Sequence, residues 1–231
     1  MPGPVHIVMV KAPRAGAVKT RLAPPLSGAD AASLAACFAQ DAVANARRVV
    51  QSVIVAYAPA DGRHALEGLL AHDDLLWHAQ QGDDLGARLA AAARHAATYG
   101  FSPIIITGTD SPTLPCSFIE TAIESLAANN SDVVLAPTDD GGYCLIGFRE
   151  YTDDLFQNVR WSTYLAYQQT ADNAARLNLR LLTLPHWYDV DTFTELLRLR
   201  DEISTDEVAR ERAPFTHQWL LVHKALFSKI T

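Results

Sequence analysis

The chain has 231 residues, of which 49% are hydrophobic and 19% are charged, so it can bury a sizeable core in one domain. No apolar run is long enough to cross a bilayer, and a net charge of −7 argues against a nucleic-acid-binding face. Cys37, Cys116 and Cys144 form neither a zinc pattern nor a disulfide framework, and the N-terminus lacks the pattern of a signal peptide. We therefore expect reduced thiols in a cytoplasmic protein.

Runs of β-branched residues alternate with alanine-rich helical runs along the chain. Strands are predicted, in order, at 5–10, 52–58, 75–80, 103–107, 132–137, 143–148 and 179–184. Helices are predicted at 28–48, 61–71, 83–100, 116–128 and 162–177, with a last helical region from residue 192. This alternation predicts an α/β, Rossmann-like fold with a mostly parallel central sheet and helices on both faces.

No composition shift marks a second domain, so residues 1–231 are predicted to form a single domain with a C-terminal helical tail at about 205–231. The segment "HQWLLVHKALF" (217–227) is predicted to form an amphipathic helix that packs on the body of the protein or on a second subunit, and it permits a homodimer without requiring one. The pair 132–137 and 143–148, joined by "TDDGG", is predicted to form a hairpin that inserts an antiparallel strand.

Ligands of open α/β sheets bind at the carboxyl ends of the strands. The segment "KAPRAGAVKTRL" (11–22) follows the first strand and offers Lys11, Gly16, Lys19 and Arg21. Free backbone amides and cationic side chains are what a phosphate-binding loop needs. The alternative is a solvated basic loop. The segment is neither a Walker A motif nor a GxGxxG motif, which excludes a P-loop NTPase and removes the best sign of a dinucleotide dehydrogenase.

"GTDSPTL" (108–114) places Asp110 at the end of an apolar strand that is predicted to be central. A carboxylate there can bind Mg²⁺ or Mn²⁺, which prefer oxygen ligands and often bridge to substrate phosphates. The alternative is that Asp110 or Ser111 caps the following turn, which Pro112 starts. The basic loop nearby favours metal binding by Asp110, because diphosphates usually need both cationic side chains and a metal ion. We assign Ser111 to substrate binding.

"WYDVDT" (187–192) supplies Asp189 and Asp191 on either side of Val190, so both carboxylates point to the same side of an extended chain. One can complete the metal site, while the other can cap the helix that starts at Thr192. The sequence leaves open which of the two does which.

Two further loops contain candidate substrate-binding residues. In "TDDGGYCLIG" (138–147), Asp139 or Asp140 is a candidate to orient or deprotonate an acceptor hydroxyl, although an ordinary hairpin turn explains the same residues. The glycines and the tyrosine of this segment are consistent with close approach of a substrate; they are Gly141, Gly142 and Tyr143. In "QQGDDLGARL" (80–89), Gln81 is a candidate to contact a base and Gly86 to allow close contact, and capping of the helix by Asp83 is the alternative.

These segments, together with "WST" (161–163), occur in an order that resembles proteins of the GT-A, or nucleotide-diphospho-sugar transferase, superfamily. More narrowly, the chain is similar to an uncharacterised bacterial family, DUF2064, whose members are expected to be glycosyltransferases. The matching stretches span residues 11 to 192. The same fold is shared by small nucleotidyltransferases.

The resemblance implies that Lys19 and Arg21 bind phosphates, and that Asp110 binds a Mg²⁺ or Mn²⁺ ion with Asp191 as second ligand. It implies a metal-dependent transferase that uses a nucleotide diphosphate-sugar and a small-molecule acceptor. Two departures from the superfamily keep alternatives open: Gly108 stands where such glycosyltransferases carry the first aspartate of D-x-D, and Pro13 stands where nucleotidyltransferases carry glycine. The alternatives are a nucleotidyltransferase that releases pyrophosphate and a nucleotide-binding protein without catalysis.

Overall fold

The computed structural model describes residues 3–227, and its centre is a seven-stranded sheet in the order β3-β2-β1-β4-β6-β5-β7. The strands are β1 (Val5–Lys11), β2 (Ser52–Ala58), β3 (Leu76–Ala79), β4 (Ile104–Thr107), β5 (Val133–Pro137), β6 (Tyr143–Phe148) and β7 (Leu181–Thr183). Each coincides, within one or two residues at either end, with a strand predicted from the sequence. The predicted fold class is confirmed.

Strand β6 is the one antiparallel member of the sheet. It pairs antiparallel with both β4 and β5, whereas the other neighbouring strands pair in parallel. A tight turn joins β5 to β6, and the backbone N–H of Thr138 donates to the carbonyl of Gly142 at 3.0 Å. The predicted antiparallel insertion is therefore confirmed.

Eight α-helices connect and cover these strands within the described part of the chain. They are α1 (Gly28–Val49), α2 (Arg63–Leu70), α3 (Leu85–Thr98), α4 (Cys116–Ala127), α5 (Ala166–Arg176), α6 (Phe193–Thr205), α7 (Glu207–Arg212) and α8 (Pro214–Val222). The residue that caps α3 is Asp84, next to the Asp83 considered from the sequence: it accepts from the backbone N–H of Ala87 at 2.8 Å, and Gly100 follows α3 with a positive φ of 77°.

Side chains of β1 alternate between the two faces of the sheet, and each face carries its own core. Val5 and Ile7 pack with α3 and α5, whereas Val8 and Val10 pack with α1 and α2. A strand that is buried on both faces needs apolar residues at consecutive positions, which is why "VHIVMV" is apolar at every position except the buried His6.

The C-terminal helices form a further core with the first half of α1. Leu34 and Phe38 pack against α6 and α8 there. The buried carboxylate of Asp41 fixes the start of α8, because it accepts hydrogen bonds from the backbone N–H groups of Phe215 and Thr216 at 3.0 and 2.9 Å. The tail thus packs on the body, as one of the two predicted arrangements requires.

The tail differs in detail from the single helix predicted at 217–227. It begins with α7, and α8 starts three residues earlier than predicted because Pro214 occupies its first turn, where its missing N–H is not needed. Residues 228–231 of the predicted tail lie outside the described residues. Within residues 3–227, every helix is too short or too polar to cross a lipid bilayer. Cys37, Cys116 and Cys144 are free thiols.

Candidate active site

The carboxyl ends of the strands surround a cavity of about 540 Å³. Three segments distant in sequence form its polar wall: the loop after β1, the loop after β4 and the segment between β7 and α6. Its apolar wall comes from the sheet and from α3, and includes Met9, Ile106 and Leu89. The position agrees with the rule that open α/β sheets bind ligands at this edge.

The loop after β1 brings one lysine into the centre of the site. Lys19 adopts the left-handed conformation, with φ 47° and ψ 36°, immediately before a 3-10 turn at Thr20–Leu22. Leu22 is fully buried and anchors this turn on the core. Gly16, earlier in the loop, has a φ of +75° that a larger residue adopts only with strain. The chain geometry therefore fixes where the side chain of Lys19 starts.

The ammonium of Lys19 lies between two aspartates. Its Nζ is 2.6 Å from Asp110 Oδ1 and 3.2 Å from Asp191 Oδ1, and it donates to the carbonyl of Val190 at 2.7 Å. Only 7% of the Lys19 side chain is exposed, whereas the two carboxylates are 47% and 42% exposed. The ammonium is thus enclosed, and its two acidic partners still face the cavity.

Lys19 is charged at neutral pH. Burial by itself would lower the pKa of Lys19, but the negative charges of Asp110 and Asp191 outweigh it and raise the pKa above its ordinary value. We refer below to Lys19, Asp110 and Asp191 together as the Lys19 centre.

The sequence left open whether Asp110 is a ligand or a turn cap. Its side chain contacts Lys19, and the following turn is closed by the backbone, where the N–H of Leu114 donates to the carbonyl of Ser111 at 3.0 Å. The backbone carbonyl of Asp110 accepts from the N–H of Val190 at 2.8 Å, which joins the loop after β4 to the segment before α6. Asp110 therefore belongs to the cavity and not to the turn.

The two aspartates before α6 line the same cavity but have different partners. Asp191 faces Lys19, and Arg21 approaches its other oxygen at 3.5 Å. Asp189 accepts a hydrogen bond from Ser111 Oγ at 2.5 Å, and burial raises the pKa of Asp189 to about 7. Neither aspartate caps α6, because Thr192 and Glu195 form a capping box at its start.

Cationic side chains surround the Lys19 centre within the cavity. Lys11 and Arg21 line it, as predicted, and so does Arg88, which the sequence analysis did not select. Arg88 lies in the first turn of α3, and its Nε donates to the carbonyl of Gly82 at 3.0 Å. The predicted start of α3 at the sheet's ligand edge was the signal that could have identified Arg88.

Seven of the predicted site residues line the cavity together: Lys11, Lys19, Arg21, Asp110, Ser111, Tyr143 and Asp191. Seven others do not line it: Gly16, Gln81, Gly86, Asp139, Asp140, Gly141 and Gly142.

The carboxylates of the two aspartates in the β5–β6 turn are bonded to groups of the protein. Asp140 accepts from Thr138 Oγ1 at 2.6 Å and from the backbone N–H of Gly142 at 3.0 Å. Asp139 forms an ion pair with Arg198 of α6 at 2.8 Å. The structure thus places both carboxylates where they stabilise the turn and its contact with α6, as in the hairpin alternative.

The glutamine in the cavity wall is Gln80, one position before the predicted Gln81. The amide of Gln80 donates to the carbonyl of Ala56 at 2.7 Å, while Gln81 is exposed. Gly86 is buried under Trp161, since a Cβ at residue 86 would lie 2.2 Å from the indole Nε1. Gly86 therefore allows the "WST" segment to pack on α3.

The side chains of the Lys19 centre can accommodate a divalent cation that arrives with a substrate. In the described part of the chain, no three His, Cys, Asp or Glu side chains are grouped to hold a metal ion on their own. Mg²⁺, however, is usually held by one or two carboxylates together with waters and substrate phosphates. Asp110 and Asp191 converge on one cation, Lys19, and both remain open to the cavity. The donors present therefore fit such an ion.

The mostly parallel sheet, its antiparallel insertion and the charged cavity at the carboxyl edge define an α/β protein of the nucleotide-diphospho-sugar transferase fold. The chain belongs to the family described as "Uncharacterized protein conserved in bacteria (DUF2064)", whose model matches residues 39–163. This confirms the resemblance noted in the sequence.

Solved structures from several organisms share the fold. The structure of a "putative nucleotide-diphospho-sugar transferase" from Desulfovibrio desulfuricans G20 superposes with a TM-score of 0.90 at 32% identity, and covers 99% of this chain and 98% of that one. A cytidylyltransferase from Leptospira borgpetersenii has a TM-score of 0.54 at 14% identity, with 100% and 98% covered. Rv0371c from Mycobacterium tuberculosis, in complex with manganese, has a TM-score of 0.52 at 17% identity, with 86% and 98% covered. No curated protein matches the sequence.

Proposed function

We propose that the protein is a metal-dependent transferase that takes a nucleotide diphosphate-sugar as donor and a small molecule as acceptor. The observation that carries this proposal is the Lys19 centre, where two open carboxylates and an enclosed ammonium share one cavity with Lys11, Arg21 and Arg88. A diphosphate needs several positive charges around it, and a divalent cation needs carboxylate oxygens beside the phosphates. Both requirements are met within this cavity.

In this proposal the cationic side chains bind the diphosphate and stabilise the charge that it gains as leaving group. Lys19, Arg21 and Arg88 approach the phosphates from the loop after β1 and from α3. Asp110 and Asp191 would hold the divalent cation, which would supply positive charge at the leaving diphosphate. The apolar side chains of Met9, Ile106 and Leu89 line the other side of the cavity.

The comparisons support this choice of substrate class. The Desulfovibrio protein, which matches over nearly the whole chain at 32% identity, carries the name of a nucleotide-diphospho-sugar transferase. The manganese complex of Rv0371c supports a divalent cation in a protein of the same fold. An acidic protein with three free thiols is expected in the cytoplasm, where such activated sugars are used.

Gly108 favours a second candidate, a nucleotidyltransferase. Gly108 lines the cavity two residues before Asp110, where glycosyltransferases of this fold carry the first aspartate of D-x-D. In nucleotidyl transfer, an oxygen of a phosphorylated small molecule attacks the α-phosphorus of a nucleoside triphosphate. The bond to the β-phosphate oxygen then breaks, and pyrophosphate leaves. The same cations and carboxylates serve this reaction.

Thermal unfolding with ligands tests the proposed function. UDP-, GDP-, CDP- and TDP-sugars and the nucleoside triphosphates are each added with and without Mn²⁺ or Mg²⁺. A ligand at about a hundred times its dissociation constant stabilises the folded protein by roughly 2.7 kcal/mol. We expect at least one nucleotide to raise the unfolding temperature and the metal to increase that shift. The absence of any metal-dependent shift across this set contradicts both candidate reactions and favours a non-catalytic role.

Product analysis separates the two reactions. Glycosyl transfer breaks the bond between the anomeric carbon and the diphosphate oxygen, so it releases a nucleoside diphosphate. Nucleotidyl transfer releases pyrophosphate. We expect nucleoside diphosphate as the product, and pyrophosphate release with a triphosphate substrate instead establishes the second candidate.

A further inference from the structure

We propose that Lys19 is an exchangeable counter-ion, whose ammonium occupies the place between Asp110 and Asp191 until the phosphates of a bound nucleotide draw it away and a divalent cation replaces it. This inference rests on the proposed function, because it assumes a nucleotide and a divalent cation in the same cavity. It adds that the two bind in a coupled manner and that Lys19 is the residue that couples them.

The contacts of Lys19 show that its ammonium fills the place between the two aspartates. Its Nζ has three oxygen neighbours, at 2.6 Å, 2.7 Å and 3.2 Å, from Asp110, Val190 and Asp191. Carboxylate and carbonyl oxygens are also the ligands that Mg²⁺ and Mn²⁺ prefer. An ammonium and a divalent cation repel each other at such distances, which disfavours their binding to the same Oδ1 atoms of Asp110 and Asp191. A metal ion placed between the two aspartates therefore competes with Lys19.

The charges of the centre favour this exchange once phosphates are present. With Lys19 in place, one ammonium offsets only one of the two carboxylate charges, and the more distant Arg21 offsets part of the remaining charge. A divalent cation in the same place balances both carboxylates completely. The displaced ammonium is then one positive charge available for the diphosphate, beside Lys11 and Arg88. The divalent cation is then paired with the two carboxylates, and the Lys19 ammonium is paired with the diphosphate.

The Lys19 side chain can leave the two aspartates without a movement of the backbone. The left-handed backbone of Lys19 and the buried anchor Leu22 hold the loop, so the ammonium moves by rotation about the side-chain bonds and the loop can stay in place. Lys19 itself lines the cavity, and both aspartates are more than 40% exposed towards it. The ammonium therefore leaves into the space where the phosphates are proposed to lie.

The consequence is positive coupling between metal and nucleotide. If phosphates remove Lys19 from the aspartates, they raise the affinity for the metal, and the metal raises the affinity for the nucleotide by the same factor. In the absence of a nucleotide, a divalent cation binds weakly because it has to displace an enclosed ammonium.

Direct measurement of Mn²⁺ binding tests the inference without any assay of activity. Free Mn²⁺ is quantified by electron paramagnetic resonance in titrations of the wild-type protein, Lys19→Met and Lys19→Gln, first with Mn²⁺ alone. Both substitutions remove the charge, and the glutamine keeps a hydrogen-bond donor in case the methionine variant does not fold. We expect the variants to bind Mn²⁺ at least about ten-fold more tightly than the wild-type protein.

Repeating the titrations with UDP, GDP, CDP and TDP, and subtracting the Mn²⁺ that each nucleotide binds without protein, tests the coupling. We expect at least one of these nucleotides to increase the Mn²⁺ affinity of the wild-type protein, and to increase that of the Lys19 variants by a smaller factor. A factor that is the same in the variants shows that Lys19 does not couple the two ligands, and overturns the inference.

Arg21→Met is the matched control. Arg21 also carries a positive charge near Asp191, but its Nη1 is 3.5 Å from Asp191 Oδ2 and 69% of its side chain is exposed. We expect this variant to change Mn²⁺ affinity by less than about three-fold, because solvent screens an exposed charge. An increase equal to that of Lys19→Met shows a general effect of net charge and overturns the inference.

Two remaining outcomes distinguish this inference from the proposed function. If the Lys19 variants bind Mn²⁺ no more tightly than the wild-type protein, and Asp110→Asn abolishes binding in both, the metal site stands and the exchange is overturned. If no protein binds Mn²⁺ with or without the nucleotides, the metal-dependent function fails together with the exchange.

Discussion

The sheet carries a cluster of opposite charges at each end of its strands, and the two clusters are built differently. The two ends are called here the amino edge and the carboxyl edge, after the parallel strands. At the amino edge, Asp132 precedes β5 and is bonded by Arg180, which precedes β7, and by Arg149, which follows β6. At the carboxyl edge lies the Lys19 centre. Both clusters join segments that are distant in the sequence, and both place aspartates against basic side chains.

The partners of the carboxylates differ in number and in geometry. Asp132 accepts from the backbone N–H, Nε and Nη2 of Arg180, each at 2.9 Å, and from Nη2 of Arg149 at 3.2 Å. Its side chain is only 15% exposed. Asp110, by contrast, has one close basic neighbour and is 47% exposed towards the cavity. A carboxylate whose oxygens are all satisfied by arginine is structural, whereas one that stays open can bind a ligand.

Substitutions at the two edges are expected to differ most in their effect on transferase activity. Asp110→Asn preserves the shape of the side chain and removes its charge, so we expect transferase activity to fall by about 10²–10³-fold, as for loss of one charge-stabilising group. The measurement is kcat/KM with the nucleotide that gives the largest thermal shift. Asp132→Asn is the matched control. We expect it to keep the activity of the wild-type protein at a temperature where both are folded, and an equal loss in both variants contradicts the assignment.

For thermal stability we expect the opposite order, with the larger loss from the substitution at the amino edge. Asp132→Asn leaves Arg180 without the carboxylate that orients it, so we expect a loss of about 2 kcal/mol, which lowers the midpoint of thermal unfolding by roughly 4–8 °C in a chain of this length. Asp110→Asn is expected to shift the midpoint less, because its carboxylate has fewer partners. Differential scanning calorimetry of both variants measures the comparison. A larger loss at Asp110 contradicts the structural role given to Asp132.

The pH dependence of stability gives a smaller effect with a defined sign. The hydrogen bonds from Arg180 hold the pKa of Asp132 well below its usual range. A carboxylate with a lowered pKa stabilises the folded state above its ordinary pKa of about 4, and that contribution disappears as the pH falls further. We expect the difference in unfolding free energy between the wild-type protein and Asp132→Asn to be constant above pH 5 and to shrink below pH 4. A difference that grows on acidification contradicts this pairing.

The smallest effect is expected at Gly108. A Cβ added there meets only the backbone nitrogen of Asp110 at 3.9 Å, which is ordinary contact. Gly108→Ala is therefore expected to change the unfolding free energy by less than about 0.5 kcal/mol. Gly86→Ala is the comparison, because its Cβ collides with Trp161, and it is expected to cost more. Urea denaturation measures both, and a large loss for Gly108→Ala contradicts the open space at the carboxyl edge.

The fold could be predicted from the sequence because its signals are local. The apolar runs of β1, β4 and β5 are buried on both faces, and the turn "TDDGG" identifies the hairpin of β5 and β6. The first turn of α8 was missed because Pro214 was not recognised as a helix start.

The site could be predicted in position but not in its contacts. Lys19, Asp110 and Asp191 were selected because each follows a strand or precedes a helix at the ligand edge. That Lys19 lies between the two aspartates depends on the folded path of the loop, and no local pattern encodes it. The sequence pointed to Gln81, whereas Gln80 lines the cavity, because the exact end of β3 decides which glutamine faces it.

The hydrogen bond from Lys19 to the carbonyl of Val190 joins residues that are 171 positions apart. Closing a loop of this length costs conformational entropy, and contacts of large sequence separation slow folding. All seven strands precede Val190 and Asp191 in the chain, so they leave the ribosome before these two residues do. The Lys19 centre is therefore a part of the molecule that the ribosome completes only after it has delivered the whole sheet.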